Sequence, residues 1–263
     1  MAMPHGYPLD YRSGDYRYIE RPNSTLVSLV ERHVFRNRAR ARILDIGAGA
    51  GANLRALRAL SPAAEFTAVE PNPRAQALLK QACDHAYEGT LEEFLRRASP
   101  SHFDAVVLSD VVEHVADPVT FLSALVEDQR TARALFFVSI PNFAVWYNRV
   151  STLFGRFEYS WSGLRDRTHL RFFTRASQTK LFRHVELEVI EQRATPSLAQ
   201  SLAPWLRRSF EDDVAAGQHL SLDQSPLYRR YRQSIEPIET RLCELWPELL
   251  GFQIVSVLRR RRR

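Results

Sequence analysis

Between residues 41 and 54 the sequence reads A-R-I-L-D-I-G-A-G-A-G-A-N-L. Gly47, Gly49 and Gly51 alternate with alanines directly after a short apolar run, and Ala48 lies between the first two. That is the layout of a strand end, a tight turn and a helix start, where backbone N–H groups can approach a nucleotide-like ligand. A Cβ at the glycines would block the turn or the ligand. Asp45 interrupts the apolar run, and a carboxylate there needs a partner. Glu70 follows Gly51 by 19 residues, close to the spacing at which an acid holds a ribose diol in βαβ nucleotide sites. The glycines alone do not choose the ligand, because Gly47, Gly49 and Ala52 also satisfy the loose dinucleotide fingerprint.

Two histidines have the intrinsic pKa of a general base near neutrality. His114 lies in S-D-V-V-E-H-V, and His169 lies between Asp166 and Arg171. Either could deprotonate a hydroxyl, and either could be a packing residue. The only cysteines, Cys83 and Cys243, are far apart and outside any C-x-x-C spacing, so neither a disulfide framework nor a metal site is expected.

These residues need a doubly wound sheet to position them. The pattern predicts a helix from Ser24, strands at 42–46, 65–70, 84–88, 103–108, 134–140 and 185–192, and a last strand at 251–258. Helices are expected at 53–60, 74–82, after Asp117-Pro118, and at 175–182. The run Phe103 to Leu108 reads as a central strand buried on both faces. Ligands sit at the carboxyl ends of such strands, so Ser109 and Asp110 should border the cofactor. Residues 142–174 leave the fifth strand on that same side, and a loop of this length is usually functional. Its aromatics could form a lid that excludes water and surrounds a cation. Asn142, Trp146, Tyr147 and Tyr159 are the candidate acceptor contacts. The organisation is therefore an N-terminal arm and helix (1–40), a core with lid insertion (41–193), a helical insertion (194–250), and a last strand with an arginine tail (251–263). The stripes Leu198, Leu202, Trp205, Leu206 and Ile235, Ile238, Leu242, Leu245 could wall the acceptor pocket or form a homodimer surface.

The run I-L-D-I-G-A-G-A-G resembles motif I of the class I S-adenosylmethionine (SAM) methyltransferases, with Glu70 and F-D-A-V-V-L-S-D-V-V-E-H-V-A-D-P as later landmarks. E-H-V-x-D-P is similar to the ubiquinone-type O-methyltransferases. The resemblance implies a Rossmann-like α/β fold of seven strands, with the antiparallel last strand inserted between the fifth and sixth. It implies SAM as cofactor and S-adenosylhomocysteine as product. Asp45 would lie beside the methionine amino end, and Glu70 would hold the ribose hydroxyls. Thr90 and Leu91 would lie near the adenine, with Thr90 departing from the acid common there. S-I-P-N followed by L-F-G-R-F-E-Y and D-R-T-H-L-R-F-F-T looks like a bacterial branch linked to surface sugars or secondary metabolites. A small-molecule, sugar-linked or lipid-linked acceptor methylated at a hydroxyl is the expectation. Two alternatives stand: attack within SAM releasing methylthioadenosine, and non-catalytic SAM binding.

The chain has 263 residues, 45% hydrophobic and 25% charged, as in ordinary globular proteins. Its net charge of +6 sits largely in the five arginines Arg259 to Arg263, and the rest is close to neutral. With no N-P-P-Y-type loop where S-D-V-V-E-H stands, this argues against a nucleic-acid acceptor. No stretch suggests a signal peptide or membrane span, so a cytoplasmic protein without membrane insertion is expected.

Overall fold

The computed structural model describes residues 21–97, 102–160, 163–196, 230 and 233–261. The arm before residue 21 and the stripe from Leu198 to Leu206 lie outside the described residues. Seven strands form one sheet: β1 (Arg42–Ile46), β2 (Glu65–Glu70), β3 (His85–Glu88), β4 (Ala105–Ser109), β5 (Leu135–Pro141), β6 (Leu187–Pro196) and β7 (Gly251–Arg260). Their order is β3-β2-β1-β4-β5-β7-β6. The first five strands are parallel, and β7 runs antiparallel to both neighbours, with Phe137 opposite Val257 and Val189 opposite Leu258. The chain thus has the inserted antiparallel strand that the class I pattern implied.

Helices cover both faces. On one, α1 (Ser24–Val30), α2 (Ala52–Leu60) and α3 (Gln76–Ala82) bury Leu26, Leu29, Leu54, Leu57 and Leu79 against Ile43, Phe66 and Phe137. On the other, α4 (Leu91–Leu95), α5 (Pro118–Glu127) and α7 (Arg175–His184) bury Phe94, Leu122, Leu125 and Phe182 against Leu44, Val106 and Phe136. Each such side chain contributes about 1.5–3 kcal/mol on leaving water, which is why β1, β4 and β5 are mostly apolar, Asp45 in β1 and Ser139 in β5 being the buried exceptions. Between α5 and α7, α6 (Trp146–Leu153) lies within the 142–174 segment. After residue 233, α8 (Glu236–Leu245) and α9 (Pro247–Leu250) lead into β7.

Caps fix the helix starts. Asp117 accepts from the N–H groups of Val119 and Thr120, with Pro118 in the first turn, and Thr174 caps α7 in a reciprocal pair with Ser177. Asn23 caps α1 and does more: its Nδ2 donates to Ser139 Oγ and Gln253 Oε1 (both 3.1 Å), tying α1 to β5 and β7. The sheet order turns around between β1 and β4, so the crevice for a ligand opens above their carboxyl ends.

Candidate functional site

The turn after β1 is built as its sequence demands. Gly47, Gly49 and Gly51 have φ of 70°, 54° and 81°. A Cβ on Gly47 would stand 2.6 Å from Val111 Cγ2, and one on Gly51 would stand 2.7 Å from Ala82 Cβ. The turn therefore needs glycine for its conformation and for its packing against the loop after β4. Gly47 N–H donates to Val69 O at 2.8 Å, and Gly51 N–H to Ala48 O at 2.9 Å.

Glu70 holds this turn from β2. Its Oε2 accepts from Gly49 N–H at 2.8 Å, and its Oε1 accepts from Asn72 N–H at 2.9 Å. A carboxylate has about four acceptor sites, so one that holds a turn can also accept from a ligand's hydroxyls. Asp45 is 2% exposed, and burial, then repulsion from Glu70, pushes its pKa up to about 8. Beside the cradle Thr90 caps α4: Glu93 N–H donates to its hydroxyl and its own N–H donates to Glu93 Oε2. Leu91 is in the core.

Ser109 closes β4, and Asp110 follows with φ 56°, a left-handed conformation that non-glycine residues seldom adopt. Its Oδ1 accepts from Gln253 Nε2 at 2.6 Å and from Ser139 Oγ at 3.5 Å. Burial raises its pKa to about 7 against the pull of those two bonds. A carboxyl group that changes charge near neutrality thus stands at the head of β4, next to Val111, which packs on the cofactor turn.

The 142–174 segment is stitched to the loop after β4. Glu113 O accepts from Leu170 N–H (2.9 Å) and Arg171 N–H (3.0 Å), and Arg171 Nη2 donates to Ala116 O at 2.8 Å. His114 Nδ1 lies 3.1 Å from Thr168 O, and His169 Nδ1 lies 3.2 Å from Leu164 O. The two rings meet edge to face at 4.8 Å. This corrects the expectation that either histidine is poised near neutrality. Burial, with His169 beside it, lowers His114 to about 4, and burial lowers His169 as well.

Of the expected acceptor contacts, Asn142 is corrected too. It is wholly buried, its Nδ2 donates to Glu248 O and Gly251 O, and its Oδ1 accepts from Ala144 N–H. Its polar atoms brace the lid's start against β7. Trp146 and Tyr147 pack with Val145, Leu164 and Phe252, whereas Tyr159 is half exposed and stacks its edge on Phe157. Phe143, Phe172 and Phe173 line a narrow cleft together with Glu113 and His169.

With this geometry in hand, the known proteins decide the family. Residues 17–192 match the family model of a methyltransferase domain. The chain belongs to that methyltransferase family. It is 24% identical over 241 residues to a ubiquinone biosynthesis O-methyltransferase from Azotobacter vinelandii, covering 90% of each chain. Among solved structures, a SAM-dependent methyltransferase from Archaeoglobus fulgidus is similar with a TM-score of 0.54 at 16% identity, covering 90% of this chain and 94% of that one. The Burkholderia thailandensis 1,6-didemethyltoxoflavin-N1-methyltransferase, solved with S-adenosylhomocysteine, gives 0.51 at 13% identity, covering 90% and 77%.

The cofactor of this methyltransferase is SAM. The site fits it on its own evidence: a glycine turn that a Cβ would fill, a strand-end carboxylate that shapes that turn, and a buried acid suited to a cationic group. Asp45 carries a prediction. A ligand ammonium beside it favours the carboxylate, so binding must lower a pKa that stands near 8 in the free enzyme. Affinity for S-adenosylhomocysteine should rise by up to about tenfold per pH unit between pH 6 and 8 and level off above. Calorimetry at pH 7 in buffers of different ionisation enthalpy should show close to one proton released. No net release would mean that Asp45 does not take the charge.

The sequence reading missed Gln253, Ser139 and Asn23 around Asp110, and it missed Glu113. Gln253 is 143 residues from its partner. The one available signal was the amide in an otherwise apolar last strand, G-F-Q-I-V-S-V-L.

Proposed function

We propose that this methyltransferase moves the methyl group of SAM to a hydroxyl of a small, sugar-linked or lipid-linked acceptor, with Asp110 taking the hydroxyl proton. SAM supplies a carbon already activated by its sulfonium. What remains for the chain is to align the acceptor, exclude water and remove one proton. The observation that carries the reading is the half-buried carboxyl of Asp110 at the head of β4, beside the glycine turn and held by Gln253. Its pKa matches a base working near neutrality better than that of His114 does. Likeness to an O-methyltransferase over most of both chains supports the hydroxyl. Trp146, Tyr147 and Tyr159 on the lid are the acceptor contacts in this reading, and Ser109 borders the cofactor.

The test is incubation with methyl-labelled SAM and a panel of phenols, sugar alcohols, amines and lipid-linked sugars. Label on an oxygen, with S-adenosylhomocysteine as the nucleoside product, is expected. Methylthioadenosine, or label confined to amines, would overturn it.

A further inference from the structure

Glu113 is the least accounted-for charged residue in the described structure. It is 1% exposed, and among the described residues neither carboxylate oxygen has a hydrogen-bond partner. Only its backbone is used, to dock the lid at Leu170 and Arg171. A carboxylate shut away from water without a partner is costly, and proteins tolerate it where a proton or a cation completes the site.

Its neighbours indicate which. Glu113, His114 and His169 each bring a potential ligand atom to within 4.8 Å of the others. A carbonyl oxygen can only accept, so the Nδ1 atoms facing Thr168 O and Leu164 O carry the protons of both rings. In each ring Nε2 is then the lone-pair atom. Metal-ligating histidines are held in this way, the second nitrogen fixed by a backbone carbonyl that sets tautomer and ring orientation.

We propose that Glu113, His114 and His169 form a binding site for a divalent cation of the zinc class, which fastens the lid to the loop after β4. Two imidazoles and one carboxylate suit zinc better than magnesium or calcium, which favour oxygen ligands throughout. A tetrahedral ion would draw the three atoms to about 3.4 Å apart, a modest contraction of the present cluster. The ion would neutralise the orphaned carboxylate and cross-link residues 113 and 114 to residue 169, across a contact now made by backbone hydrogen bonds. Three protein ligands leave a fourth position, and Glu113 and His169 both line the aromatic cleft. The site does not depend on which acceptor is methylated. It also replaces the expectation of no metal, which considered cysteine spacing and overlooked ligands from two separate loops.

The test uses the full chain, stripped with a chelator and titrated with zinc chloride against a competing chelator. One zinc per chain is expected, with the melting temperature raised by about 5–10 °C at metal roughly 100-fold above its Kd. His169→Ala and Glu113→Gln should each weaken binding by more than about 100-fold, while His184→Ala, outside the cluster, leaves it unchanged. Cobalt substitution of the wild type reads the same site without a variant. Intense visible bands of a four- or five-coordinate nitrogen-ligated ion are expected. The pale spectrum of aquated cobalt, no stoichiometric zinc, or equal affinity in His169→Ala would each overturn the proposal.

Discussion

Glu70→Ala is expected to weaken S-adenosylhomocysteine binding by at least about 100-fold while leaving the sheet folded. The carboxylate accepts from Gly49 N–H and Asn72 N–H, so it shapes the glycine turn before any ligand arrives. Hydrogen bonds to a charged group contribute about 1.5–3 kcal/mol each, and about 2.7 kcal/mol is a factor of 100. Removing the side chain leaves two turn N–H groups without their acceptor and deprives the ribose of its own. Glu70→Gln separates these effects. One amide oxygen can still serve one turn N–H, but the amide nitrogen then faces the other donor, so intermediate loss is expected. Calorimetric titration measures both variants, with circular dichroism and melting temperature as controls on folding. Unchanged affinity in a folded Glu70→Ala protein would remove Glu70 from the cofactor site.

That part of the site was readable because it is local. β1, the glycine turn, β2 and Glu70 form one βαβ unit in which apolar runs, glycine conformation and spacing all point to one arrangement. β1 and β2 have the bounds that the sequence predicts, 42–46 and 65–70. Elsewhere the ends shift by a residue or several, as at β6, which runs on to Pro196 because it pairs with β7 as far as Gly251. The acceptor side was legible only as composition. An aromatic-rich stretch suggests a segment over the sheet's carboxyl end, not which atoms it buries. His114 and His169 looked like bases because their intrinsic pKa is near neutrality, yet the lid that carries His169 desolvates both. Asn142 looked like a substrate contact because it follows a strand end, and its amide is used up by carbonyls more than 100 residues away. Burial is set by tertiary packing, which sequence spacing does not encode.

Asp110→Asn should lower kcat by about 10²–10⁴-fold, the range lost with a positioned base, and leave cofactor affinity within a few-fold of wild type. The substitution keeps size, and asparagine tolerates the left-handed backbone that Asp110 adopts, so folding should survive. Gln253 Nε2 can still donate to an amide oxygen, provided that the substituted side chain presents its oxygen and not its nitrogen. What is lost is the capacity to take a proton. In the wild type, the limb of the kcat/KM profile that reports this carboxyl should rise with pH and level above about 7, because the group must be unprotonated to act as base. In the variant that limb should vanish with the rate. Gln253→Leu tests the same group from the other side. The amide bond lowers the pKa of Asp110, so removing it should move the limb to higher pH without abolishing turnover at its plateau. A variant that loses affinity for S-adenosylhomocysteine and keeps kcat would instead make Asp110 a cofactor ligand. The proton would then have to leave by another route, and the acceptor would more naturally be an amine, which needs only desolvation to attack.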